Sequence, residues 1–103
     1  MTLEEVLGEL SWKADLMQLF ALWLHTQDVE FPREKLNGNW DDVNPGTRLS
    51  FHKDGGYDDG VVFTLPGFQK KGIEDAFVQF QDRWRVLKHC VILADRVEIM
   101  GNA

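Results

Sequence analysis

Residues 12–24 restrict the fold of this chain more than any other part of its sequence. All of them are apolar except Lys13, Asp15 and Gln18. Apolar residues at helical spacing predict an amphipathic helix, but here the apolar surface extends around most of the circumference. Such a helix must be covered on most of its sides. The sequence therefore predicts a helix over 12–24 that packs within a small domain and leaves apolar surface for a second copy of the chain.

Size and composition favour one small domain in a reducing compartment. With 103 residues, 44% of them hydrophobic, the chain can build one core over residues 1–103 without a disulfide or a metal. Its single cysteine, Cys90, cannot form an internal disulfide. No apolar run is long enough for a membrane span, and the acidic first ten residues are unlike a signal peptide. We expect a cytoplasmic protein without a membrane partner.

The charge of the chain argues against one class of partner. With 17 acidic and 11 basic residues, the net charge is -6. Binding to a phosphate backbone depends on Lys and Arg that displace counterions, so nucleic acid is not an expected partner. Acidity fits a protein with a basic surface, and it also simply keeps a small protein soluble.

Local patterns predict a β-hairpin in the middle of the chain, with helical segments before it. Thr2 and Glu5 form a capping box that begins a short helix over 3–9. Pro32 begins one helical turn over 32–36. Apolar and polar residues alternate over 47–53, which predicts a strand. The strand returns over 61–65, so the acidic segment 54–60 is interpreted as the turn.

The segment 73–87 has the spacing of a second helix. Its apolar residues repeat at intervals of four and three, and its acidic start and basic end complement the helix dipole. The rival interpretation is a strand pair that turns at Asp82 and Arg83. That arrangement would expose Phe77 and Leu87, and no Gly, Asn or Pro marks its turn. We therefore expect a helix.

These elements combine into a predicted α+β fold. The β-branched stretches 89–93 and 96–100 complete it as two strands or one long bulged strand. We expect two layers, with an antiparallel sheet of three or four strands and helices packed on one face, in the order α-α-β-β-α-β(-β). The surplus apolar surface of the first long helix predicts a homodimer, with a two-fold interface at Met17, Ala21 and Leu24.

No residue pattern indicates catalysis, a metal or a cofactor. A few metal-ligand side chains gather around the predicted hairpin turn, but their spacing does not match a calcium loop: His52, Asp54, Asp58 and Asp59. Asp and Gly are in any case ordinary turn residues. His89 and Cys90 are adjacent, and neighbours on a strand point to opposite faces, so this imidazole is poorly placed to activate the thiol. We therefore expect no catalytic residue, no metal and no cofactor, although catalytic groups from scattered positions would leave no such pattern.

The predicted hairpin brings two loops together at its open end. The loops 37–46 and 66–72 would share one rim there, about 20 Å from the predicted turn at about 3.3 Å per strand residue. Aromatic and charged side chains on such a rim are candidates for partner binding: Trp40, Asp41, Asp42, Phe68, Lys70 and Lys71. The alternative is an ordinary polar rim, with Trp40 as a lid on the core and Phe68 turned inward.

Two classes of function remain open from the sequence. We favour a small acidic non-catalytic protein that acts by protein–protein contact, as an inhibitor, immunity-type or adaptor module, and that self-associates. The alternative is a small-molecule-binding protein or an unrecognised enzyme, with a pocket between sheet and helices. An enclosed pocket with convergent polar groups and shifted pKa values would favour the alternative.

Overall fold

The computed structural model describes residues 13–65 and 72–102. Helix α1 covers Lys13–His25, and the short strand β1 (Leu36–Asn37) follows a single 3₁₀ turn at Arg33–Lys35. A second 3₁₀ turn at Trp40–Asp42 leads to the hairpin strands β2 (Thr47–Lys53) and β3 (Gly56–Phe63). A third at Gly72–Asp75 leads to β4 (Phe77–Gln79) and β5 (Trp84–Val86). Helix α2 (Leu87–Leu93) and strand β6 (Arg96–Asn102) complete the order.

The strands form one six-stranded mixed sheet in the order β1-β6-β2-β3-β4-β5. Strands β2 to β5 are antiparallel to their neighbours, and β6 returns antiparallel to β2. The two residues of β1 pair parallel with β6, which makes the sheet mixed. To reach β6 from the edge strand β5, the chain crosses one face of the sheet, and α2 lies in this crossover.

Each face of the sheet carries its own hydrophobic cluster. The larger cluster contains residues of β2, β3 and β6 together with Leu87 and Val91 of α2. The smaller cluster joins Leu19 of α1 to β4 and β5 and contains Phe77 and Trp84. Because neighbouring residues of a strand point to opposite faces, the two helices cover opposite faces of the sheet.

The β2–β3 hairpin forms as the sequence predicted, but its turn is shorter. Asp54 and Gly55 both have positive φ, 53° and 81°, the backbone of a two-residue turn that favours Asp-Gly. Strand β3 therefore begins at Gly56, and the prediction of a seven-residue turn over 54–60 is wrong. Asp58 and Asp59 lie in the strand, opposite Phe51 and Ser50.

The helix predicted over 73–87 is wrong, and the rival strand pair is the observed structure. Phe77 and Val78 are both fully buried, on opposite faces of β4. A strand pair would expose Phe77 only if one face of the sheet were in contact with solvent. Here α1 covers the face of Phe77 and α2 lies over the face of Val78. Strands buried on both faces show continuous apolar runs. The apolar residues of 73–87 therefore also match the spacing of a helix.

The stretch 89–93, predicted as a strand, lies in helix α2. Its Val and Ile residues favour strands only weakly, and tertiary packing overrides that preference. Val91 is fully buried in the larger cluster. The Nζ of Lys35 donates hydrogen bonds of 2.7 Å to the carbonyl oxygens of Ile92 and Ala94, where the helix leaves carbonyls without partners of its own. The prediction of a strand over 96–100 is confirmed by β6.

Several side-chain hydrogen bonds attach the N-terminal half of the described chain to this frame. The indole Nε1 of Trp23 donates to the Asp75 carboxylate at 3.1 Å, which ties α1 to the turn before β4. Trp40 packs edge-on against Phe31 with ring centres 4.9 Å apart, and its Nε1 donates to the carbonyl of Arg33. Trp40 is therefore buried as a lid on the core.

The predicted three- or four-stranded antiparallel sheet with helices on one face is therefore wrong. The described residues instead contain six strands, a parallel pair and helices on both faces. The two faces could not be inferred locally, because α1, which covers one of them, is distant in sequence, and α2, which covers the other, lies in a stretch predicted as helix and strand in other places. The helix predicted over 3–9 lies outside the described residues. No helix among the described residues is long and apolar enough to cross a membrane.

Trp84 provides a test of the smaller cluster. Its side chain is only 8% exposed, and its ring centre lies 4.8 Å from that of Phe63. We expect Trp84→Ala to lower the free energy of unfolding by about 3–5 kcal/mol, since it leaves a cavity under α1. Val29→Ala, at an exposed position, should change it by less than about 0.5 kcal/mol. Urea unfolding followed by circular dichroism measures both, and a Trp84→Ala loss below about 1 kcal/mol would contradict the packing described here.

Candidate binding site

A cleft with both apolar and charged lining lies between α2, the strands β2 and β3, and the turn at 80–83. It has a volume of about 280 Å³ and opens to solvent. Five apolar or weakly polar side chains form its floor and mouth: Phe51, Phe80, Cys90, Leu93 and Ala94. Five ionisable side chains also line it: Lys53, Asp58, Arg83, Arg85 and His89. We call this feature the basic cleft, because it contains three cations and one carboxylate.

The aromatic floor of the basic cleft depends on a glycine. Phe51 and Phe80 are buried, with ring centres 5.7 Å apart. A Cβ on Gly60 would collide with the side chain of Val78 and lie 3.1 Å from the ring of Phe80. Glycine at position 60 therefore leaves the space that the Phe80 ring occupies.

Arg83 is the most heavily engaged cation of the basic cleft. Its guanidinium lies 4.8 Å from the ring centre of Phe80 and donates to the carboxylates of Asp82 at 2.7 Å and Asp58 at 3.3 Å. Burial lowers the pKa of Arg83, but the hydrogen bonds and charges of these two carboxylates outweigh it, so the pKa is raised above its ordinary value. Arg83 is therefore charged and already neutralised by its neighbours.

Lys53 and Arg85 are different, because no carboxylate in the described part of the chain lies within ion-pair distance of either. Arg85 is half-buried and donates through Nη1 to the carbonyl of Trp84 at 2.9 Å. A guanidinium carries five N–H donors, so most of its hydrogen-bonding capacity is left over. The basic cleft thus presents two cations without a protein counter-ion.

His89 and Cys90 lie together in this cleft, but in the wrong state for nucleophilic catalysis. Burial, partly offset by the nearby charges of Arg85 and Arg83, raises the pKa of the Cys90 thiol to about 12. Burial, reinforced by the charge of Arg85, lowers the pKa of His89. A reactive cysteine needs its thiolate, whereas this thiol is protonated at neutral pH. The pair was predicted on a strand and lies on a helix, yet the prediction that Cys90 is a core residue is supported.

An acidic groove adjoins the basic cleft on the other side of Arg83. It is an open depression of about 600 Å³, lined by Tyr57, Asp58, Asp59, Phe80, Gln81, Asp82 and Arg83. Asp58, Phe80 and Arg83 line both depressions. Tyr57 is 66% exposed, and its ring lies 5.8 Å from that of His52. A large exposed aromatic ring between carboxylates is the most conspicuous feature of this surface.

A serine, a histidine and a glutamate also meet on the sheet, but not as a catalytic triad. The Oγ of Ser50 lies 3.3 Å from Nε2 of His52, and a carboxylate oxygen of Glu98 lies 3.4 Å from the same nitrogen. In a triad, the nucleophile and the orienting carboxylate use different ring nitrogens. Ser50 is also buried at 2% exposure. The cluster is therefore a structural contact between β2 and β6.

The sequence-predicted partner rim is divided between described and undescribed residues. Asp41 and Asp42 are exposed, in a turn whose start is capped by Asn39, while Trp40 is buried beneath them. Phe68, Lys70 and Lys71 lie outside the described residues, so the structure does not bring the set together, and the rim stays a prediction. Of the predicted dimer residues, Ala21 and Leu24 are exposed, Leu24 to 65%, and the side chain of Met17 lies outside the described part.

Neither the basic cleft nor the acidic groove was recognised from the sequence. Lys53, Arg85 and His89 come from a hairpin strand, an edge strand and a helix, and no spacing connects them. The run Tyr57-Asp58-Asp59 falls in the segment 54–60, for which the sequence predicts a turn. Within residues 13–65 and 72–102, no group of three or more His, Cys, Asp or Glu side chains could hold a metal ion.

Comparison with known proteins identifies no relative, because no family model, no curated protein and no solved structure matches this chain. Function therefore has to be inferred from the geometry and chemistry of the chain itself.

The lowered pKa of His89 has a consequence for stability. Folded His89 binds a proton less readily than unfolded His89. Its contribution to the free energy of unfolding is therefore present above the ordinary pKa of about 6.5 and is lost as the pH falls below it. We expect His89→Gln to show a smaller fall in urea midpoint between pH 7.5 and 5.5 than the wild-type chain. The matched control is His25→Gln, at an exposed helix end. It should keep the wild-type fall, and an unchanged fall in His89→Gln would contradict the inference.

Proposed function

We propose that this chain is a non-catalytic protein that acts by contact with a protein partner, and that the acidic groove is the contact surface. The single observation behind the proposal is Tyr57, a tyrosine two-thirds exposed between carboxylates on a rigid hairpin. Tyrosine is among the residues that contribute most binding energy at protein interfaces, because it buries a large area and loses little conformational entropy. The partner should therefore present a pocket for this ring.

The charges around Tyr57 define the chemistry of that partner. Asp59 and Asp82 are exposed beside it, and Arg83, the one cation that the described residues contribute to the groove, is already shared by Asp58 and Asp82. Complementary charge increases association rates and selects partners. A basic surface is the complement of this groove, in agreement with the net charge of -6. An inhibitor or immunity-type protein that covers a basic functional surface of its partner fits this chemistry.

The state of the potential catalytic groups supports the non-catalytic part of the proposal. Cys90 is a protonated thiol, and Ser50 and Glu98 share one nitrogen of His52. The acidic groove is an open depression, whereas enzyme and small-molecule sites usually enclose most of their ligand. Contact between surfaces is the function that this geometry supports best.

The proposal is tested by capture from an extract of the organism that makes the protein, followed by mass spectrometry. We expect the double variant Tyr57→Ala/Asp59→Lys to capture at least tenfold less of the partner than the wild-type chain does. Raising the salt concentration should weaken capture by the wild-type chain, because exposed charges are screened.

Two matched variants make the capture experiment specific. Asp28→Lys/Glu30→Lys adds positive charge at exposed positions away from the groove and should retain the partner. Asp41→Lys/Asp42→Lys tests the rim predicted from the sequence. Loss of the partner in this rim variant alone would place the contact on the rim and overturn the acidic groove as the contact surface.

We also propose that the chain self-associates through α1, where Ala21 and Leu24 are exposed. Leu24 is 65% exposed, Ala21 is exposed one turn before it, and Leu19 is buried in the smaller cluster, so this side of α1 offers an uncovered apolar contact. Light scattering at micromolar concentration should give twice the chain mass of 11.9 kDa. Leu24→Asp should give the monomer mass with unchanged circular dichroism, because a charge in an apolar seam separates subunits. A wild-type mass of one chain would exclude the dimer.

A further inference from the structure

The basic cleft combines two features that the acidic groove lacks. It has an apolar floor formed by Phe51 and Phe80, and cations at its edge whose charge no carboxylate in the described residues neutralises, Lys53 and Arg85. A cation that is half-buried without a counter-ion is unfavourable in the isolated protein. Arg85 is such a cation, and the exposed Lys53 lies on the same lining, in a chain whose net charge is -6.

We propose that the basic cleft binds a carboxylate attached to a short apolar group, with the carboxylate on Arg85 and Lys53 and the apolar group on the phenyl floor. The guanidinium of Arg85 retains donors for a two-point contact with a carboxylate, because only Nη1 is used by the carbonyl of Trp84. Lys53 adds a second, flexible positive charge.

The floor decides between classes of anion. Inorganic phosphate would satisfy the cations alone, whereas an apolar group would also cover Leu93, which is 49% exposed, and the small exposed part of Phe51 and Phe80, and would gain that burial. The cleft volume of about 280 Å³ is at the lower end of the range for ligand sites and limits the occupant to a small acid or one terminal residue. Leu93, half-exposed at the mouth, offers a further apolar contact.

The uncharged neighbours in the cleft fit the same ligand. The lowered pKa of His89 keeps its imidazole neutral at physiological pH, so it can offer one hydrogen bond without adding charge. The raised pKa of Cys90 keeps its thiol neutral, so no thiolate repels a carboxylate. Among the described residues that line the cleft, Asp58 is the one carboxylate, and Arg83 forms an ion pair with it.

Calorimetry on the full chain with 4-phenylbutyrate is the direct test. We expect a Kd on the order of 0.1–1 mM, which is reasonable for a ligand of about twelve heavy atoms. The uncharged analogue 4-phenylbutanol should bind at least tenfold more weakly, and inorganic phosphate should not bind at 1 mM. Equal binding of the acid and the alcohol, or binding of phosphate in preference to the acid, would overturn the proposal.

Substitutions test whether the ligand binds to the cations of this cleft or to positive charge elsewhere on the surface. Arg85→Gln should weaken 4-phenylbutyrate binding at least tenfold. Lys53→Gln, at an exposed position that folding does not depend on, should weaken it severalfold. The matched control Arg48→Gln removes an exposed cation outside the cleft and should leave the Kd within twofold. Unchanged binding in Lys53→Gln and in a folded Arg85→Gln would overturn the assignment.

Two further ligands distinguish the source of the carboxylate. A pentapeptide that ends in Phe with a free carboxylate is compared with the same peptide as a C-terminal amide. Preference for the free peptide over 4-phenylbutyrate identifies a protein C-terminus as the source, and preference for the small acid identifies a metabolite. Failure of both ligands to bind at millimolar concentration refutes the proposal. The groove variant Tyr57→Ala/Asp59→Lys should bind 4-phenylbutyrate normally, so the two proposed sites fail or succeed independently.

Discussion

Burial of the β4–β5 strand pair on both faces is the constraint on which the rest of the structure depends. Phe77 and Trp84 face α1, while Val78 faces the cluster that contains α2. A pair of three-residue strands has few hydrogen bonds and is marginal alone, so it depends on pairing with β3 and on burial under the two helices. In turn, each helix obtains from this pair the apolar surface that it needs. The sheet therefore separates α1 and α2 onto opposite faces.

The placement of α2 creates the candidate site. Because the helix starts directly after the edge strand and crosses the sheet toward β6, it brings His89 and Cys90 over the ends of β2 and β3. Lys35 holds the far end of the helix by donating to the carbonyls of Ile92 and Ala94. The same packing that buries Val91 thus leaves a cleft on the neighbouring side of the helix.

Arg83 divides the charged surface into two regions of opposite character. It satisfies Asp58 and Asp82, so the acidic groove retains exposed carboxylates while the basic cleft retains Lys53 and Arg85. Both regions are open, and the groups that could have supported catalysis are protonated, buried or incorrectly oriented. Adjacent acidic and basic regions are what the two proposed binding surfaces rest on, because complementary charge selects partners.

The sequence by itself determined the elements whose signals are local. The helix that ends at His25, the hairpin from Thr47 and the strand from Arg96 follow from helical spacing, from alternation and from β-branched residues, although the hairpin's turn is shorter than predicted. It did not determine the structure of 73–93, where only the tertiary structure decided between helix and strand. There, the apolar spacing reflects burial on two faces, one covered by the distant α1 and the other by α2, which follows directly. The β-branched residues of α2 are helical because tertiary packing outweighs their weak preference for strands. The candidate site could not be predicted from the sequence either. Its side chains Lys53, Arg85 and His89 lie on three elements that only the folded sheet and its crossover helix bring together.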